Sequence, residues 1–250
     1  MLSVLFSCTP QPHHPQLSGH RGAPYIAPEN TLASLDSCIL YGIEFAECDV
    51  QASKDSVFYL LHDRTLDRTT NGTGVLSEWN SQDIDTLDAG SWFGPEFSDA
   101  RVPRLEEVLR KAKDGGVKLT IDYRSGDLNQ MLDLIKKYDM LSNCTFVYSK
   151  EKDYFSFRDL SPTCNSMQAY IQGPASMKQA IEKFQPNVAV ARMDSINQEM
   201  VDYLHQRQIK VLGLSLHRED PKESDYIKAQ QLGVDIIATD RPEYYSKRRL

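Results

Sequence analysis

The chain has 250 residues, 40% of them hydrophobic and 25% charged, with a net charge of -7 and a pI near 5.4. This is ordinary globular usage and argues against disorder. The acidic balance leaves no whole-surface basis for holding nucleic acid or an anionic membrane, so an anionic substrate has to be met by a local site.

Length and composition suit one large core, so residues 16–250 are read as a single domain behind a tail at 1–15. The tail sequence MLSVLFSC is apolar but short and lacks basic residues at its start. It is either a shortened signal ending at a lipid-anchored Cys8, since LFSC loosely resembles a bacterial lipobox, or a plain disordered tail with His13 and His14 as linker residues. No apolar run reaches the roughly eighteen residues of a membrane span. The five cysteines, Cys8, Cys38, Cys48, Cys144 and Cys164, form no CxxC pair. Cys48 and Cys144 fall in predicted strands and Cys38 in a helix, where small buried residues are expected rather than disulfides or zinc ligands.

Taken in order, the first helix is expected to start at Asn30 or Thr31, with Leu32, Leu35 and Ile39 at helical spacing and Gly42 at its end. Glu29, beside that start, reads as a partner of the helix dipole. Residues 43–62 then form two apolar runs joined by a few polar residues, too few for a parallel crossover, so a hairpin is expected. Glu47 and Asp49 share one face of its first strand. Pairing around Lys54 and Asp55 places His62 roughly opposite Glu47.

Residues 63–102 are rich in glycine and polar residues, a long insertion of the kind that is usually functional. From Pro103 the chain alternates regularly: a helix, strand VKLTIDYR, helix 128–138, strand 144–149, a helix from Asp153, strand 166–171 and helix 174–184. Strand 188–192, helix 198–206, strand 210–215, helix 224–232 and strand 235–238 follow. This alternation predicts a TIM-type (β/α)8 barrel with a hairpin near the second and third strands and an insertion after the third. Nine strand candidates compete for eight barrel positions.

Polar residues collect at the predicted strand ends: His20 and Arg21, Glu47 and Asp49, His62 and Asp63, Asp122 and Arg124, and Lys150. Three carboxylates buried together need a cation or basic partners. Oxygen-only ligation favours a hard ion, Mg²⁺ or Ca²⁺. Two histidines beside it suit acid–base work near neutral pH, and the basic residues suit phosphate. Singly, each feature also has a plain structural role, a strand-end hydrogen bond or a salt bridge; their joint occurrence points to a metal-assisted site.

HRGAPYIAPENTLAS, ECDV, LLHDRTLDRTTNGTG, LDAGSWFGPEF, VPRLEEVL, TIDYR and LGVDIIATDRP together strongly resemble the glycerophosphodiester phosphodiesterase family. The resemblance implies a TIM barrel and divalent-metal-dependent hydrolysis of a small-molecule glycerophosphodiester to glycerol phosphate and an alcohol. By position it implies Glu47, Asp49 and Asp122 as metal ligands and His20 and His62 as catalytic residues, with His20 as base and His62 as acid, or the reverse. Arg21 and Arg124 fall at phosphate-binding positions, and Lys150 is added to that set from its strand end. The chain departs from the family in Asp122 for glutamate, Arg124 for lysine, Lys150 for an aromatic, and Leu214 where a tryptophan is usual, with His217 shortly after. These departures leave two other expectations open: a lysophospholipid or phosphodiester-linked glycan as substrate, or a non-catalytic barrel that binds a phosphorylated ligand.

Overall fold

The computed structural model describes residues 13–148, 150–161, 168–217 and 219–249. Cys8 and Cys164 lie outside the described residues, as do residues 166 and 167 of the predicted sixth strand. The strands are β1 (Gln16–Gly19), β2 (Phe45–Ala52), β3 (Phe58–Leu60), β4 (Lys118–Tyr123), β5 (Cys144–Tyr148), β6 (Gln168–Tyr170), β7 (Val188–Arg192), β8 (Lys210–Ser215) and β9 (Ile236–Thr239). The helices are α1 (Leu32–Leu40), α2 (Ser81–Ile84), α3 (Leu105–Gly115), α4 (Leu128–Lys137), α5 (Glu151–Leu160), α6 (Pro174–Phe184), α7 (Gln198–His205), α8 (Glu223–Leu232) and α9 (Pro242–Ser246).

Eight strands pair in parallel in the order β5-β4-β2-β1-β9-β8-β7-β6, and β5 packs against β6. The result is a nearly closed parallel barrel with helices between its strands. β3 is the ninth strand, outside the barrel, paired antiparallel to the end of β2.

The two-residue repeat of each strand sorts its side chains. Leu17, Ala46, Cys48, Val50, Leu119, Ile121, Val211 and Ile237 face outward into one core with the helices. Phe45, Val188, Val190, Leu212, Ile236 and Ala238 form a second cluster inside the barrel. Cys38, Cys48 and Cys144 are buried thiols outside any disulfide among the described residues, as their positions in the pattern require.

The helix boundaries follow local chemistry. Thr31 caps α1 by accepting from the Ser34 backbone N–H, and Asp127 caps α4 by accepting from Asn129 and Gln130. α3 carries Glu106 and Glu107 in its first turn and Lys113 in its last, and ends on Gly116 in the left-handed region, matching the helix dipole and the steric need of the cap.

The hairpin differs from expectation by one residue. Ser53 N–H donates to the Val57 carbonyl at 2.8 Å across a three-residue turn, in which Ser56 takes φ 65°. Val50 therefore pairs with Leu60 and Leu61 N–H donates to the Asp49 carbonyl. Continuing this register places His62 beside Cys48 rather than Glu47. The left-handed Ser56 lengthens the turn by the residue that shifts the pairing.

Residues 63–102 close around a core of their own. Tyr59, Leu61, Leu66, Leu76, Ile84, Leu87, Ala89 and Val102 form it, with Trp79 packed against it. At the base of the barrel His13 Nε2 bonds the Val234 carbonyl at 2.7 Å, and His14 Nδ1 lies 3.3 Å from the Tyr226 hydroxyl. Both are therefore docked on the fold rather than free linker residues.

Gly19, at the end of β1, has no room for a side chain: a Cβ there would lie 2.0 Å from the Gly22 carbonyl oxygen. Gly19→Ala must open the turn that carries His20 and Arg21. The expected loss is about 1–3 kcal/mol of stability, read from urea unfolding.

Candidate active site

Parallel pairing aligns Glu47 with Thr120 and Asp49 with Asp122. These residues share the inward face of β2 and β4, and one oxygen from each of Glu47, Asp49 and Asp122 lies within 4.8 Å of the others. Like charges this close need compensation.

Part of it is built in. Arg124 Nη2 bridges Asp49 Oδ1 at 2.6 Å and Asp122 Oδ2 at 2.9 Å. Asn30 donates from Nδ2 to Asp49 Oδ2 at 2.8 Å and accepts from Asp49 N–H at 3.1 Å. The backbone N–H of Arg21 donates to Glu47 Oε2 at 2.5 Å, an orientation set by the left-handed conformations of Arg21 and Gly22. The Arg21 side chain pairs with Glu29 at 2.9 Å, and its Nε lies 3.7 Å from Asp49.

The compensation is incomplete. Burial raises the Glu47 carboxyl well above the usual range, with Asp49 and Asp122 adding to it. Burial also pushes Asp122 up to about 6, opposed by Arg124 and reinforced by Asp49. Among the described residues the buried Asp122 Oδ1 has no hydrogen-bond partner. Converging carboxylate oxygens, carboxyls pushed above their usual range and one idle buried acceptor fit a hard divalent cation, which takes oxygen donors and relieves such repulsion.

Beside the cluster a cavity of about 230 Å³ occupies the barrel mouth. Ser18, His20, Glu47, Thr120 and Asp122 line one side, and Val147, Tyr148, Tyr170, Val190, Leu212, Leu214 and Leu216 line the other. His20 continues the β1–β9 ladder through its backbone N–H to the Thr239 carbonyl at 2.9 Å. Its Nδ1 lies 2.8 Å from Asp240 Oδ1. Asp240 thus fixes the ring and leaves Nε2 for other chemistry.

His62 does not line this cavity; it stands past β3, with Nδ1 2.7 Å from Asp63 Oδ1. Arg68 joins Asp63 to Glu29, and Glu29 joins Arg21, so the His62 end is tied to the cluster through ion pairs. Lys150 is exposed ahead of α5 and does not line the cavity. His217 Nε2 lies 3.5 Å from Asp225 and is likewise absent from the lining.

Three residues escaped sequence reasoning in their site roles: Asn30, Asp240 and Arg68. Asn30 reads as a helix cap, but Thr31 caps and Asn30, at φ 55°, turns to Asp49. Glu29 also differs from expectation. Rather than serving the helix dipole, it is buried between Arg21 and Arg68. Burial alone would raise its carboxyl, but the two guanidiniums outweigh that and hold it at about 2.

A nearly closed parallel barrel with an anionic pocket at the carboxyl ends of its strands defines the class, a TIM-barrel enzyme. The chain matches the glycerophosphoryl diester phosphodiesterase family over residues 20–244, and it belongs to that family. It is 30% identical over 236 residues to a glycerophosphodiester phosphodiesterase of Caldanaerobacter subterraneus, covering 90% of this chain and 93% of that protein. A Bacillus subtilis glycerophosphodiester phosphodiesterase is also 30% identical, with 91% of this chain and 84% of that one covered. Among solved structures, a glycerophosphodiester phosphodiesterase from Agrobacterium tumefaciens superposes with a TM-score of 0.84 at 26% identity, covering 93% and 99% of the two chains. A phosphodiesterase of Oleispira antarctica, in complex with the product sn-glycerol-3-phosphate, gives 0.83 at 25% identity and 94% and 96% coverage.

Two outcomes follow from this geometry. Asn30→Ala leaves Asp49 with an unpaired buried N–H and a weakened carboxylate shell, a loss of about 1–3 kcal/mol in chemical denaturation. The folded Asp122 pKa near 6 lies above that of an unfolded aspartate, so proton uptake favours the cation-free fold at low pH and that contribution fades as pH rises through 6. A divalent cation must displace those protons, so calorimetry should show its affinity rising between about pH 5 and about pH 8.

Proposed function

We propose that this protein hydrolyses glycerophosphodiesters to glycerol phosphate and an alcohol, with one divalent cation, Mg²⁺ or Ca²⁺, as cofactor. The observation that carries this reading is the unsatisfied carboxylate cluster sharing a cavity with His20 in a member of this family.

Glu47, Asp49 and Asp122 would hold the cation, whose chemistry when bound is Lewis-acid polarisation of a phosphoryl oxygen and of a coordinated hydroxyl. His20, with Nδ1 engaged by Asp240, offers Nε2 to take a proton from the attacking hydroxyl or water. His62, with Nδ1 engaged by Asp63, returns a proton to the leaving alcohol. The two roles can exchange without changing the proton balance. Arg21 and Arg124 place positive charge beside the cluster, where phosphoryl oxygens gain negative charge in the transition state. Lys150 has no part in this reading.

The test is glycerophosphodiester turnover with and without chelator. EDTA should abolish it, and His20→Ala and Glu47→Ala should each lower kcat by about 100-fold or more. Activity that survives the chelator and both substitutions would refute the assignment.

A specific observation favours a second reading of the substrate. The cavity wall from β5 to β8 is apolar, and Tyr170 and Leu216 stand 52% and 39% exposed at its rim. An acyl or alkyl chain would bury that surface, whereas a cationic headgroup meets no carboxylate there among the described lining residues. A kcat/KM higher for lysophosphatidylcholine than for glycerophosphocholine would support a lysophospholipid substrate; the reverse order would count against it.

A further inference from the structure

His62 and the carboxylate cluster sit on different parts of the fold, His62 at the head of the insertion and the cluster inside the barrel. One guanidinium spans the distance. Arg68 donates from Nε to Asp63 Oδ2 at 2.6 Å and from Nη2 to Asp63 Oδ1 at 3.1 Å. The same side chain donates from Nη1 to Glu29 Oε2 at 3.0 Å and from Nη2 to Glu29 Oε1 at 2.7 Å. Each carboxylate is therefore gripped at both oxygens, which fixes orientation as well as distance. Asp63 in turn holds His62 Nδ1, and Glu29 holds Arg21, whose backbone N–H holds Glu47.

We propose that Arg68 is a positioning residue for the reaction, setting the His62–Asp63 pair in register with the carboxylate cluster and acting on catalysis through His62. This rests on the acid–base role given to His62 above.

Attachment of the insertion alone does not account for this pattern. Residues 63–102 already have a buried core, with Leu66, Leu76 and Ile84 fully covered. Arg68 spends its donors instead on two carboxylates that each orient a group of the site. Among the described residues the charged groups that pair with Asp63 are His62 and Arg68, and Glu29 stands one guanidinium away. Asp63 is held well below the usual carboxylate range, first by its hydrogen bonds from Arg68, against partial burial, with His62 adding to the effect. Without Arg68 the Asp63 carboxyl would take up its proton at higher pH and release His62 there. A lysine restores the charge but has no planar fork to grip two carboxylates at once.

The experiment uses the full chain loaded with Mg²⁺ or Ca²⁺ and glycerophosphocholine as substrate, comparing wild type, Arg68→Met, Arg68→Lys, His62→Ala and the Arg68→Met/His62→Ala double variant. Arg68→Met should lower kcat by about 10–100-fold with KM within about twofold, and move the acidic limb of the pH–kcat profile to higher pH. Arg68→Lys should recover part of the loss. In the His62→Ala background Arg68→Met should have little further effect, since both act through one group.

An Arg68→Met protein that folds and keeps wild-type kcat and pH limb overturns the proposal, as does a loss that multiplies fully with that of His62→Ala. If Arg68→Met does not fold, Arg68→Lys and Asp63→Asn carry the same comparison with His62→Ala, and a full multiplication of either loss overturns the proposal. Full activity of His62→Ala would refute the acid–base role and this inference together. An inactive His62→Ala beside an unaffected Arg68→Met would refute this inference alone.

Discussion

Mutual repulsion among Glu47, Asp49 and Asp122 is the constraint on which the rest of the site depends. Two adjacent parallel strands bring all three to one inward face, where burial strengthens every charge. Much of the surrounding polar structure answers that repulsion. Arg124 bridges Asp49 and Asp122, Asn30 clasps Asp49 at both its carboxylate and its backbone N–H, and Arg21 offers its backbone N–H to Glu47 and its side chain to Asp49. What remains unanswered is one buried oxygen and the raised carboxyls, a repulsion that a hard cation would relieve.

The barrel was largely legible because its signals are local and periodic. The bounds of α6, β7 and β8 follow directly from apolar runs and their flanking proline, glycine and polar residues. The pairs Glu47 with Asp49 and Asp122 with Arg124 revealed themselves by two-residue spacing, which a strand converts into a shared face whatever its neighbours. The hairpin register was harder, since it depends on the left-handed Ser56, and serine does not announce that conformation. Asn30, Glu29 and Arg68 were illegible for another reason. Their partners lie 19, 39 and 5 residues away, and only the tertiary fold decides which of several nearby acids a base will meet.

The insertion shows how a polar, glycine-rich segment becomes ordered with little regular structure beyond the single turn of α2. Its apolar residues are few, but Leu66, Leu76, Ile84 and Leu87 converge with Tyr59 and Leu61 from the hairpin. β2 thereby serves two bodies at once. Its first five residues carry the carboxylates in the barrel, and its last three pair with the strand that opens the insertion. The position of His62 relative to the barrel is set by this shared strand and by the ion pairs that cross from one body to the other.

The division of the barrel mouth into a charged half and an apolar half has a consequence for how a molecule arrives. The hydrogen-bonding and ionic groups gather on β1, β2 and β4, while the facing strands present leucine, valine and tyrosine. An amphiphile entering backwards would strip water from its anionic end against hydrocarbon and push its greasy end among carboxylates, losing on both counts. For an amphiphilic molecule the cavity would therefore favour one orientation, with the anionic end toward the charged half and the chain along the apolar wall.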